Sequence, residues 1–160
     1  VDKAIFEAAD LIEMHLDGTL LPGFQHSKPS AETALHLFLY SLGGVGAILH
    51  SHSVDVTVYS LLHAEADSLD FSGFEMQKAL ADVDHPDTPV TLPLFDNDQD
   101  MERLRLELAR RFSERPPVHG FILKGHGLYA WGSNLSEAKR HLQAYEFLVT
   151  CALKLHIHHR

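Results

Sequence analysis

The chain has 160 residues, 45% hydrophobic and 22% charged, with 10 glycines and 7 prolines. That suits one domain with a sizeable core and excludes fibrous and disordered classes. Its 13 Lys and Arg against 22 Asp and Glu give a formal net charge of -9, which argues against a nucleic-acid surface but leaves room for a small phosphorylated ligand held by a few local donors. The single cysteine, Cys151, excludes an internal disulfide and a thiolate zinc cluster. No uninterrupted apolar stretch reaches membrane length, so neither nucleic acid nor a membrane is expected as a partner, and a cytoplasmic location is.

Leu11 to His15 reads as a short strand, and Leu16-Asp17-Gly18-Thr19 as a turn into another. The connection PGFQHSKPS leads to a helix expected over 31–42, with Ser30 as N-cap and Leu35, Leu39 and Leu42 recurring at helical spacing. GVGAILHSHS changes period and reads as a core strand whose polar end carries His50 and His52. Helices are expected over 57–66 and 74–80, then a short strand over 90–94 after a loop bracketed by Pro86 and Pro89. FDNDQD lacks the central glycine and terminal glutamate of a calcium loop, and reads as a loop entering a helix over 101–112 with Leu104, Leu108 and Phe112 every fourth residue. Pro116-Pro117 ends that helix, VHGFILKGHG is a second strand-to-loop unit, and Asn134 with Glu137 forms a capping box for a final helix from Leu135 towards Leu155. Strands alternating with helices predict an α/β sandwich, with no linker or internal repeat.

His50 and His52 stand two apart on a strand and so project to one face. A third imidazole from Gly125-His126-Gly127 would complete three ligands and leave a position for water or substrate. Imidazole donors favour zinc over calcium. Glu75 and Glu32 each read either as an ordinary charge in a first helical turn or as a carboxylate able to move protons beside a metal. Lys28 and Ser30 before a helix, and Lys78 one turn beyond Glu75, are candidate phosphate contacts. Tyr129 and Trp131 alternate after His126, which suits strand packing or the wall of a substrate pocket.

The motifs KPSAETALH (28–36), LHSHS (49–53), FEMQKAL (74–80), LPLFDNDQD (92–100) and GHGLYAWG (125–132) resemble the class II aldolase and adducin-head family, and within it a dehydratase branch. The resemblance covers almost the whole chain. It implies a three-layer α/β/α sandwich around a mainly antiparallel sheet, and one zinc per subunit on His50, His52 and His126. Glu75 would be the catalytic acid/base. Glu32 matches the catalytic carboxylate of the aldolase relatives. The implied reaction is dehydration of a methylthio-substituted ketose phosphate to a diketone, in methionine salvage, through a zinc-stabilised enediolate. Aldol cleavage of a fuculose- or ribulose-phosphate type substrate is the alternative on the same metal. A non-enzymatic, adducin-like scaffold would have lost the histidines, which are all present. The resemblance further implies a homotetramer with active sites near subunit boundaries. Family members begin earlier than VDK, so residues 1–160 are expected to be a single domain lacking an N-terminal portion.

Overall fold

The computed structural model describes residue 7 and residues 10–158. In chain order they form helix α1 (Thr33–Ser41), strand β1 (Ala47–Ser51), α2 (Val54–Leu62), β2 (Ser68–Phe71), a 3-10 segment (Glu75–Ala79), β3 (Val90–Phe95), α3 (Met101–Glu114), β4 (Gly120–Leu123), β5 (Gly127–Gly132) and α4 (Leu135–His158). The strands make one sheet in the order β1-β5-β4-β3-β2. Only the β3–β4 pairing is parallel; β1–β5, β4–β5 and β2–β3 are antiparallel.

Side-chain alternation along the central strands builds two cores. On one face Ile122, Leu128, Leu92 and Leu94 meet Val56 of α2 and Leu148 and Val149 of α4. On the other, Phe121, Leu123, Tyr129 and Trp131 meet Leu35 and Leu39 of α1 and Leu104, Leu108 and Phe112 of α3. Both faces are therefore covered by helices, the expected three-layer sandwich. That is why GFIL and GLYAWG are buried at every residue and do not alternate in polarity.

The helix signals hold at α3 and α4. The Asp100 side chain accepts from the N–H groups of Glu102 and Arg103, so the acidic stretch ends as a helix cap. Asn134 Oδ1 accepts from the Glu137 N–H, and the Glu137 carboxylate accepts from the Ser133 N–H, closing a reciprocal box.

Four expectations need correction. The strand over 11–15 contracts to a single Met14–Leu20 bridge around a turn in which Gly18 takes φ +87°. Ser30 does not cap α1: Glu32 occupies that position, and the Ser30 hydroxyl accepts from the Glu32 N–H in the preceding turn. The helix over 57–66 begins earlier, at Val54, and ends at Leu62. The helix over 74–80 is a 3-10 segment held by the buried Gln77, whose amide donates to the Thr88 carbonyl and accepts from the Phe74 N–H. Strand β2 carries no signal in the sequence, because four residues on a sheet edge are too short to display a period.

Candidate metal centre

The site lies where β1 ends beside the β4–β5 turn. The antiparallel register places His50 opposite Tyr129, and the two rings stack with centroids 4.1 Å apart. Tyr129 in turn lies flat on Phe121 at 4.8 Å, so the His50 ring rests on a packed aromatic column. His50 Nδ1 donates to the Leu128 carbonyl at 3.0 Å. That bond fixes the tautomer and leaves the lone pair on Nε2. Burial, opposed in part by the Glu32 charge, holds the His50 pKa down at about 4, so the ring is neutral and able to ligate.

His126 occupies a tight turn, its N–H donating to the Leu123 carbonyl. Helix α2 braces that turn: the Gly125 N–H donates to Ser60 Oγ at 3.0 Å, and Thr57 Oγ1 donates to the His126 carbonyl at 3.3 Å. Gly125 adopts φ +67°, a conformation that favours glycine. Gly127 serves a different need, since a Cβ there would lie 2.2 Å from the Ser51 carbonyl oxygen and 3.0 Å from His50 Cε1. Only a missing side chain lets the turn approach β1 so closely.

Three Nε2 atoms converge here. His50 Nε2 is 2.8 Å from His52 Nε2 and 3.4 Å from His126 Nε2. Tetrahedral zinc with Zn–N bonds of about 2.0–2.1 Å separates ligand nitrogens by about 3.3 Å, within this range. One cation can accept the lone pairs of all three nitrogens at this spacing. The half-buried Glu32 carboxylate, delivered by the N-terminus of α1, lies 3.0 Å from His126 Nε2 and 3.7 Å from His50 Nε2. Donor atoms of Glu32, His50, His52 and His126 all fall within 4.8 Å of one another. The donor set fits zinc, one ion per chain.

The remaining sequence candidates separate. Glu75 stands outside this cluster; its side chain is 76% exposed and pairs with Lys78 at 2.7 Å. It borders an apolar groove with Phe74, Met76, Phe147 and Cys151. Lys28 is exposed ahead of α1, and Ser30 lies in the turn leading to Glu32. Tyr129 and Trp131 are both buried in the core beneath α1 and α3, the strand packing that their alternation suits. Tyr129 acts from below, and burial together with the Glu32 charge holds its hydroxyl well above its ordinary pKa. Sequence reasoning missed Asn97, whose Oδ1 meets His126 Nδ1 at 3.2 Å; the acids of FDNDQD are the visible feature of that segment, and the amide between them is the group that meets the imidazole.

A mixed sheet whose strand ends gather three imidazoles, joined by a carboxylate from the α1 terminus, defines a metal-binding α/β protein. The chain belongs to the class II aldolase and adducin N-terminal domain family, whose pattern matches residues 1–153. It is 47% identical to the methylthioribulose-1-phosphate dehydratase of Serratia proteamaculans (strain 568), over 96% of this chain and 74% of that protein. Against the enzyme of the same name from Picosynechococcus sp. (strain ATCC 27264 / PCC 7002 / PR-6), identity is 41% over 96% of this chain and 73% of that protein. The fold also matches the crystal structure of l-fuculose-1-phosphate aldolase from Thermus thermophilus, with TM-score 0.66 and 23% identity over all of this chain and 74% of that one. No helix among the described residues is long and apolar enough to cross a membrane.

Proposed function

We propose that this chain is a zinc-dependent lyase that dehydrates 5-methylthioribulose 1-phosphate to 2,3-diketo-5-methylthiopentyl 1-phosphate, a step of methionine salvage. The observation that carries the reading is the convergence of the His50, His52 and His126 Nε2 atoms beside Glu32, in a chain 41% and 47% identical to two dehydratases of that name.

Bound zinc supplies Lewis-acid polarisation of the substrate carbonyl, which makes the adjacent C3–H more acidic. The chain's own residues do the rest. The three imidazoles set the position of the ion, and the packed Tyr129–Phe121 column keeps His50 from tilting away. A carboxylate takes the C3 proton and assists the C4 hydroxyl to leave as water, and the enol that remains ketonises. Lys28 and Ser30, next to the α1 terminus that delivers Glu32, are the proposed phosphate contacts.

Glu75 is the proposed proton carrier, and its place outside the cluster gives that role a condition. It must reach the site of a neighbouring copy. An exposed carboxylate beside exposed Met76 and Phe147 suits a subunit boundary, and we take the assembly to be a homotetramer, with Lys78 crossing the same boundary. Charged phosphate esters do not cross membranes unaided, so a cytoplasmic setting goes with this substrate.

Incubating the zinc-loaded protein with 5-methylthioribulose 1-phosphate and weighing the products tests the reaction. Loss of one water with the carbon chain intact supports it; a three-carbon phosphate plus an aldehyde establishes aldol cleavage instead. Mixing inactive Glu75→Gln with inactive His50→Ala subunits should restore part of the activity if Glu75 acts across the boundary. A full-rate Glu75→Gln enzyme would transfer the role to Glu32, and a monomer by light scattering would end the tetramer proposal.

A further inference from the structure

We infer that Asn97 is a positioning residue for the third metal ligand, and that the acidic FDNDQD segment exists in this site to hold it there. The inference rests on the metal reading of the His50, His52 and His126 cluster. His126 can offer Nε2 to an ion only if its ring proton sits on Nδ1. Nδ1 lies 3.2 Å from Asn97 Oδ1, an acceptor that selects that tautomer. His50 obtains the same result from the backbone carbonyl of Leu128. His126 stands in a turn, beyond the β4–β5 ladder, and there a side chain supplies the acceptor.

The surrounding segment is built to fix Asn97. The Lys124 N–H donates to the Phe95 carbonyl at 2.9 Å, tying the end of β3 to the entrance of the His126 turn. On one side of Asn97, the Asp96 carboxylate accepts from Lys124 Nζ at 3.0 Å, and the same ammonium donates to the Ala64 carbonyl at 2.7 Å. On the other side, Asp98 is held by a two-bond pair with Arg103 and accepts from the Asp100 N–H at 2.9 Å. The Asp98 N–H closes the bend by donating to the Asp96 carbonyl at 2.9 Å. Both carboxylates are thus engaged by cations, and the neutral amide between them is the group that faces the imidazole. Asn97 orients His126 without adding charge to the site, whereas Asp96 and Asp98 orient Asn97.

The test is zinc affinity, measured by competition with a chromophoric chelator on the full chain, for the parent protein, Asn97→Leu and Asn97→Asp. Leucine keeps the branched side-chain shape but offers no acceptor; aspartate keeps one. Asn97→Leu should weaken zinc binding by about tenfold, at the lower end of the range for partners of a ligating histidine, and Asn97→Asp should hold zinc at least as tightly as the parent. Thermal midpoints of the metal-stripped proteins should coincide, which separates positioning from a general loss of structure. Parent-like zinc affinity in Asn97→Leu would overturn the inference. A parent protein that binds no zinc would instead defeat the metal reading. The tautomer can be read separately in that case, or if Asn97→Leu does not fold: long-range proton–nitrogen spectra of the zinc-free parent should place the His126 proton on Nδ1, and a proton on Nε2 would refute the assignment.

Discussion

Two groups of close imidazoles in this chain use the same chemistry to opposite ends. At the metal centre, His50 and His126 each direct Nδ1 at a fixed acceptor and turn Nε2 towards other nitrogens. In the second group, His141 is fully buried and stacks on His119 at 4.4 Å. Its Nδ1 donates to the Trp131 carbonyl at 2.6 Å, and its Nε2 accepts from the Ala81 N–H at 3.1 Å. Every polar atom of the His141 ring is used, so it has nothing to offer an ion. An imidazole becomes a ligand when the fold satisfies one nitrogen and leaves the other facing lone pairs. It becomes a core strut when the fold satisfies both.

The largest expected effect tests that division directly. Replacing His50 and His52 together by alanine should reduce bound zinc from about one per chain to near none, as one imidazole and one carboxylate cannot complete a tetrahedral site. His141→Gln should leave zinc content unchanged by the same metal analysis. Loss of zinc in the His141 variant, or retention in the double variant, would break the comparison.

The next effect reverses the roles. His141→Ala removes the partners of a partly buried N–H and a buried carbonyl and opens a cavity, for a loss of about 2–4 kcal/mol by denaturant unfolding. A smaller effect belongs to the turn: in Gly127→Ala, the new methyl meets the β1 backbone at 2.2 Å. Overpacking should cost about 1–3 kcal/mol and weaken zinc binding, because β1 must retreat and carry His50 with it.

The mildest effect is on pH dependence. Burial lowers the His141 pKa below its ordinary value of 6.5, so the unfolded chain binds the proton first as pH falls. The stability contributed by neutral His141 is therefore present above about pH 6.5 and declines below it, with a slope of at most about 1.4 kcal/mol per pH unit. His36 and His50 are shifted the same way by burial and add to the slope in zinc-free protein. Subtracting the profile of zinc-free His141→Gln isolates the His141 part. An unchanged slope in that variant would mean His141 accepts a proton without losing its place in the core.

The histidine trio was legible because HxH spacing and a glycine-flanked imidazole carry their chemistry locally. Period and punctuation likewise exposed α3, α4 and the two central strands, since an apolar stripe of Leu104, Leu108 and Phe112 can face only one core. Other parts were silent for physical reasons. Strand β2 exists because Leu69 and Phe71 find cover in the α2 and α4 layer, and four residues announce no period of their own. Glu32 and Glu75 stood on equal terms as first-turn charges until the sheet carried the α1 terminus, and not the 3-10 segment, to the imidazoles within this chain.

By itself, then, the sequence determined which side chains could ligate a metal, because strand alternation and glycine turns are local geometry. The tertiary structure decided which acceptors the His50 and His126 rings meet, which carboxylate joins the imidazoles and which aromatic rings pack in the core. Those outcomes depend on partners far apart in the chain, such as Leu128 for His50, Asn97 for His126 and Phe121 for Tyr129. A hydrogen bond or a stacked ring exists only once both halves have been brought to the same place.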